Sequence, residues 1–304
     1  MNEHRTDDSH ANAHTQTNLT CTKCDYLLDG LNLREHCPEC GTKIVNECFW
    51  CDYDLSNTAP DSKCPECGVP VTASIGSGIL ATVPTEILQR LHSGMRIVTT
   101  LILIYIISVV LSIFMTFVFT PTMNATTLTM VDVVSSIINN SIFLGIIYGW
   151  WKVSTPIPQI PPQLNANSKR TFLRILSTIS VIVIILGMFI GIFSSSIVSA
   201  ATYNAVVLYS LLFLSLSSNI VMIIYFIASV MYTGWIARLV RNTKMYRRSK
   251  HLVWSGPLIA ILGFVLLFLG PLIVLILYWN MIEYTRRDLK KIINTAHRNR
   301  LVHS

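Results

Sequence analysis

Eight cysteines, all between residues 21 and 67, constrain this chain more than any other feature. They read Cys21-x-x-Cys24, Cys37-Pro-Glu-Cys40-Gly41, Cys48-Phe-Trp-Cys51 and Cys64-Pro-Glu-Cys67-Gly68, and the second four repeat the first four at an offset of 27 residues. The same offset pairs Asp25 with Asp52, Tyr26 with Tyr53, Leu28 with Leu55, Pro38 with Pro65, Glu39 with Glu66 and Gly41 with Gly68. The stretch is a tandem duplication of one Cys-x2-Cys-x12-Cys-x2-Cys unit. Two residues between sulfurs let one tight turn offer both thiolates to a single ion, the spacing of tetrahedral zinc sites. Proline after the first cysteine stiffens such a turn, and glycine after the last suits a backbone with φ > 0.

A unit of about 25 residues buries too little core to fold alone. A structural metal supplies the missing stability, roughly 10–16 kcal/mol for zinc. The competing reading of the cysteines, a disulfide framework, belongs to an oxidising compartment, and residues 1–20 are polar with no apolar core of a signal peptide. The sequence therefore predicts two zinc ions. One is held by Cys21, Cys24, Cys37 and Cys40, the other by Cys48, Cys51, Cys64 and Cys67. Four thiolates close the coordination shell, so the sites read as structural rather than catalytic.

The pattern Cys-x-x-Cys-x-Tyr-x-Leu followed by Cys-Pro-Glu-Cys-Gly resembles the zinc-ribbon family, specifically a double zinc ribbon over residues 21–71 (repeats 21–44 and 48–71). That resemblance implies a small β-rich fold. It leaves open nucleic-acid binding, protein docking and a purely structural role. A ribbon followed by several apolar helices also resembles uncharacterised bacterial zinc-ribbon membrane proteins, which implies architecture and no activity.

Charge bears on the choice. Residues 1–95 hold 13 of the 16 acids and 6 of the 23 bases, whereas residues 96–304 hold 3 acids and 17 bases. An acidic ribbon repels phosphate, so no nucleic-acid partner is expected. The basic remainder suits anionic lipid headgroups and the excess of Lys and Arg on cytoplasmic loops. With 52% hydrophobic residues and mean hydropathy +0.53, the chain as a whole has membrane-protein composition.

Residues 1–20 read as a disordered tail whose His4, His10 and His14 are solvated, and 72–95 as a Gly/Ser linker followed by a short amphipathic helix over 84–92. The transmembrane region is expected over 96–280, an all-α bundle with spans near 97–119, 131–151, 175–198, 205–235 and 253–279. Loops 120–130 and 199–204 carry no Lys or Arg. Loops 152–174 and 237–252 carry Lys152, Lys169, Arg170 and Arg174, and Arg238, Arg241, Lys244, Arg247, Arg248 and Lys250. The basic loops and the ribbons are thus expected in the cytoplasm, across an inner membrane.

The last apolar segment is in conflict with this rule, because a fifth crossing exports the basic tail 281–304. Gly256-Pro257 and Gly270-Pro271 offer a re-entrant pair instead. Backbone satisfaction in lipid favours one crossing, which places the tail outside.

No Asp, Glu, Lys, Arg or His lies in the interior of a proposed span, Asp132 standing at the start of the second, which argues against an ion-coupled transporter. Asn139, Asn140, Ser217, Ser218 and Asn219 are the polar exceptions, to be read as interhelical hydrogen bonding or as the lining of a transporter or channel for which the ribbon is a cap. Gly187, Gly191, Ser195 and Ser199 form a small-residue stripe suited to close packing within the chain or with a second copy. Residues 155–162, with four prolines, read as a stiff spacer. No nucleophile triad, HExxH, P-loop or GxGxxG appears, so the chain is not expected to be an enzyme. The favoured function is a cytoplasmic, structural-zinc interaction or regulatory module on a multipass membrane protein, with Tyr26, Tyr53, Phe49 and Trp50 as contact candidates.

Overall fold

The computed structural model describes residues 21, 24, 26, 36–41, 47–55, 57–59, 62–74, 79–119, 124–157, 160, 164–198, 205–265 and 269–303. The expectations for the tail 1–20, for most of the proline-rich spacer, and for the side chains of Gly191, Ser195 and Ser199 lie outside the described residues. The chain divides into two compact units, Met1–Ser77 and Gly78–Ser304.

In the first unit the described residues form no strand. Their β-structure consists of isolated bridges, at His36 in the first repeat and at Glu47↔Asp54 and Lys63↔Pro70, which each close one cysteine turn of the second repeat. The β-rich fold implied by the resemblance is not seen among them. Cys48, Leu55, Cys64 and Val71 form a buried cluster with Trp50, Cys51 and Cys67 against it, and a short 3-10 helix at Val71–Ser74 ends the repeat. Four of these seven packed groups are cysteines, so the metal ligands are themselves the core.

The second unit is helical: α1 (Thr85–Phe119), α2 (Ala125–Val153), α3 (Asn167–Val198), α4 (Ala205–Leu239), α5 (Thr243–Val265) and α6 (Leu269–His303). Among the described residues four segments are long and apolar enough to cross a membrane, Thr85–Met115, Thr126–Val153, Asn167–Phe189 and Leu216–Leu239. Ile107, Leu111 and Phe114 on α1, and Phe213 and Leu216 on α4, are exposed, as lipid-facing side chains are.

Local chemistry sets the ends of these helices. Asn124 caps α2 by accepting the Thr127 N–H at 3.1 Å, so the helix begins before the expected residue 131 and includes Thr126 and Thr127. The expected surface helix over 84–92 is continuous with the first apolar segment in α1. Between α4 and α5, Arg241 takes φ 62° and the Asn242 N–H reaches the Ala237 carbonyl, closing α4. Asn242 then caps α5 through Met245 N–H and donates to Asp288 of α6 at 2.6 Å.

α1 packs along α2 and α6, and α4 along α3 and α5. The α1–α2 contact closes where helices meet without side chains: a Cβ on Gly94 would lie 3.0 Å from the Gly149 carbonyl oxygen, and one on Gly149 2.6 Å from Val98 Cγ2. Gly187, by contrast, faces open space. Close approach among the described residues is made by Gly94 on α1 and by Gly145 and Gly149 on α2, the last two one helical turn apart.

The segment 253–279 is not one crossing. It divides into α5 and α6, which pack antiparallel along each other, with Gly256 beside Val274 and Gly263 against Gly270. Pro271 lies in the first turn of α6, where a missing N–H costs little. Trp279 donates to the Thr99 carbonyl at 3.0 Å and Arg286 meets His92 at 3.4 Å, so α6 descends α1 toward its start. Leu269 is ten residues from Trp279, about 15 Å of helix, whereas α1 extends about 30 Å past Thr99. The hairpin therefore turns about half way along α1, and the basic tail returns to the end of the bundle where α1 begins. The expectation of one continuous apolar helix over 253–279 is corrected to two packed helices. Irregular backbone in lipid is the physical objection to a re-entrant pair. Packing of α6 on α1 and α4, and of α5 on α4, gives both helices protein neighbours, while Leu258, Ile261, Leu262 and Leu269 are exposed as lipid-facing side chains are.

Candidate metal centres

Each repeat brings its four sulfurs together. In Cys21, Cys24, Cys37 and Cys40, and again in Cys48, Cys51, Cys64 and Cys67, all Sγ atoms lie within 4.8 Å of one another. The grouping is by repeat and not across repeats. Cys21–Cys40 and Cys48–Cys67 are 3.6 Å apart, and Cys24–Cys37 and Cys51–Cys64 are 3.5 Å apart, identical in the two copies. A tetrahedral ion with thiolates at about 2.3 Å sets sulfurs about 3.8 Å apart. The residues fit one tetrahedral ion per repeat.

Backbone hydrogen bonds build the turns. Cys21 N–H donates to the Tyr26 carbonyl at 2.8 Å and Cys48 N–H to that of Tyr53 at 2.7 Å. Gly41 N–H bonds Cys37 O, Asp52 N–H bonds Cys48 O and Gly68 N–H bonds Cys64 O, at 2.8–2.9 Å. Gly41 and Gly68 have φ 66° and 70°, the left-handed region expected of them. Asp52 takes φ 62° at the corresponding place after Cys51. Aspartate tolerates that region better than most side chains, so the first knuckle of the repeat uses Asp where the second uses Gly. The Asp25/Asp52 match held this signal.

The electrostatics favour a thiolate cluster that a cation completes. Burial raises the Cys64 thiol, but the N–H groups of Cys67 and Glu66 and the neighbouring sulfurs more than offset it, holding it down to about 7. Burial pushes Cys67 up, and the neighbouring thiols add to the rise. One sulfur ionises readily while its neighbours resist accumulating negative charge, the resistance that a bound cation removes.

Of the four aromatic contact candidates, Tyr26 and Tyr53 are 39% and 40% exposed, a matched pair on the two repeats. Phe49 is buried, packs edge-on to Trp50 at 6.1 Å and donates its N–H to Ser74 at 3.3 Å, and Trp50 is half-buried. The last two belong to the packing of the unit.

In the helical unit Asn139 accepts from Ser108 of α1 at 2.9 Å, joining α1 to α2, and Asn140 bonds Ser136 one turn back. Ser217 bonds the Phe213 carbonyl of its own helix. These polar side chains satisfy the bundle. Compared with known proteins, the chain matches no family model, no curated sequence and no solved structure.

Proposed function

We propose that this is a multipass inner-membrane protein whose N-terminal unit is a zinc-folded docking or regulatory module on the cytoplasmic side. The carrying observation is the pair of four-cysteine constellations, each within 4.8 Å, that fix two equivalent tyrosines at the surface. Each tyrosine carbonyl is bonded by a ligand cysteine's N–H, so metal binding sets the backbone from which Tyr26 and Tyr53 project. A rigid aromatic displayed at low entropic cost is a suitable anchor for a protein partner. Thiolate ligands select zinc among common cytoplasmic ions, and a reducing compartment keeps them available. The basic tail, at the same end of the bundle as the start of α1, supports that orientation under the charge rule.

The test is crosslinking in native membranes of the full chain against Tyr26→Ala/Tyr53→Ala, with metal content measured on both. Loss of one specific crosslinked species at unchanged zinc content is the expected result. An unchanged crosslinking pattern would remove the docking role from these tyrosines.

A further inference from the structure

The junction of α2 and α3 holds two arginines that form no ion pair with a carboxylate among the described residues. Arg170 and Arg174 are one turn apart on α3, both half-buried. The ion pairs formed by the described residues lie within α6, between Glu283 and Arg286 or Arg287 and between Asp288 and Lys291. The other acidic side chains after residue 78 are Glu86, exposed in the first turn of α1, and Asp132, about 30 Å along α2 from Trp151. Like charges one turn apart repel, and partial burial strengthens the repulsion.

Arg174 is nevertheless held in place. Its Nε donates to Ser154 Oγ at 3.1 Å, and its guanidinium lies over the Trp151 ring at 5.1 Å. Ser154 is fully buried and gives its own proton to the Trp151 carbonyl, so its lone pair is committed to Arg174. This leaves the two terminal nitrogens of the fork, the geometry that matches two oxygens of a phosphate. Beside it, Thr155, Asn165, Ala166, Arg170, Tyr232 and Trp235 line a crevice with room for one water-sized group, against the start of α3. The free N–H groups of that first helical turn add positive potential.

Trp151 is 45% exposed, and Phe172 and Ile175 on the same stretch of α3 are 48% and 53% exposed. The surroundings are therefore apolar on one side and cationic on the other, as at a headgroup layer. We propose that Arg174 and Arg170, set by Ser154 and Trp151, bind the phosphate of an anionic phospholipid in the leaflet that the α2–α3 connection faces. This rests on the membrane reading above. Two half-buried arginines one turn apart, a pre-oriented fork and an exposed indole together distinguish the site from a general basic surface, where lysines are solvated singly.

Native mass spectrometry of the full chain, released from detergent with phosphatidylglycerol or phosphatidylcholine, tests it. The first bound phosphatidylglycerol should be preferred by about tenfold, and Arg174→Gln should abolish the preference. Lys244→Gln, the same charge change at an exposed position on α5, should keep it. Ser154→Ala removes only the anchoring bond and should weaken the preference, which serves if Arg174→Gln disturbs folding. Excess inorganic phosphate should leave the lipid bound. Equal binding of the two lipids, retention of the preference in both variants, or displacement by inorganic phosphate would each overturn the site. A chain that fails to sediment with membranes refutes the membrane reading itself, whereas a membrane-bound chain without the preference refutes only the lipid site.

Discussion

Gly263 and Gly270 face each other across the α5–α6 hairpin so closely that a methyl group on either would overlap the other's backbone. A Cβ on Gly270 would also meet the Ile259 carbonyl oxygen. The hairpin thus depends on two hydrogen atoms where any other residue has carbon.

Gly263→Ala and Gly270→Ala should each lower the thermal midpoint in detergent, with an overpacking cost of about 1–3 kcal/mol. Gly187→Ala faces open space and should be neutral or slightly stabilising, since alanine favours helix by about 1 kcal/mol over glycine. Equal effects at all three positions would mean that helix propensity, not the crossing, governs the result.

The two chain ends should report the same side of the membrane. Reporter fusions before Met1 and after Ser304, read for cytoplasmic or external activity, measure this. Opposite sides would show that residues 253–279 cross, against the contacts Trp279–Thr99 and Arg286–His92.

The full chain should contain two zinc ions by elemental analysis, and Cys21→Ser/Cys40→Ser should contain one. Both substitutions fall in one repeat, so the cluster of Cys48, Cys51, Cys64 and Cys67 survives. Pairing across repeats would place the two changes in different sites and lose both ions. Chelation should unfold the N-terminal unit, because its core is largely cysteine.

Glu283 is buried on α6 and takes hydrogen bonds from Arg286 at 2.7 Å and Arg287 at 2.9 Å. The Arg286 bonds hold its carboxyl below its ordinary value of 4.5, burial opposes this, and Arg287 assists. A depressed carboxylate contributes stability that is complete above the unfolded value and is lost as pH falls through the folded one. Unfolding followed from neutral pH to about pH 3 should show this acid loss. Glu283→Gln should be less stable at neutral pH, by on the order of 1–3 kcal/mol, and flatter below about pH 4.5. An unchanged acid limb would remove Glu283 as its cause.

The sequence by itself determined the composition of both units. Metal ligation depends on turns of a few residues, so the Cys-x-x-Cys spacing and its 27-residue repeat were enough to group the eight sulfurs by repeat. Helices long enough to cross a bilayer are equally local, because length and hydropathy against a fixed thickness define them. Even the left-handed Asp52 had a local trace, its place beside Gly41 and Gly68 after a knuckle. Tertiary structure decided what depends on neighbours. Whether 253–279 forms one helix or two is a competition between lipid and protein for the same apolar residues, and packing of α6 on α1 and of α5 on α4 favours two. The close approach at Gly94, Gly145 and Gly149, and the choice of Ser154 as the anchor for Arg174, likewise follow from which helix lies alongside. A periodic pattern names a face of a helix, but only packing says what that face meets.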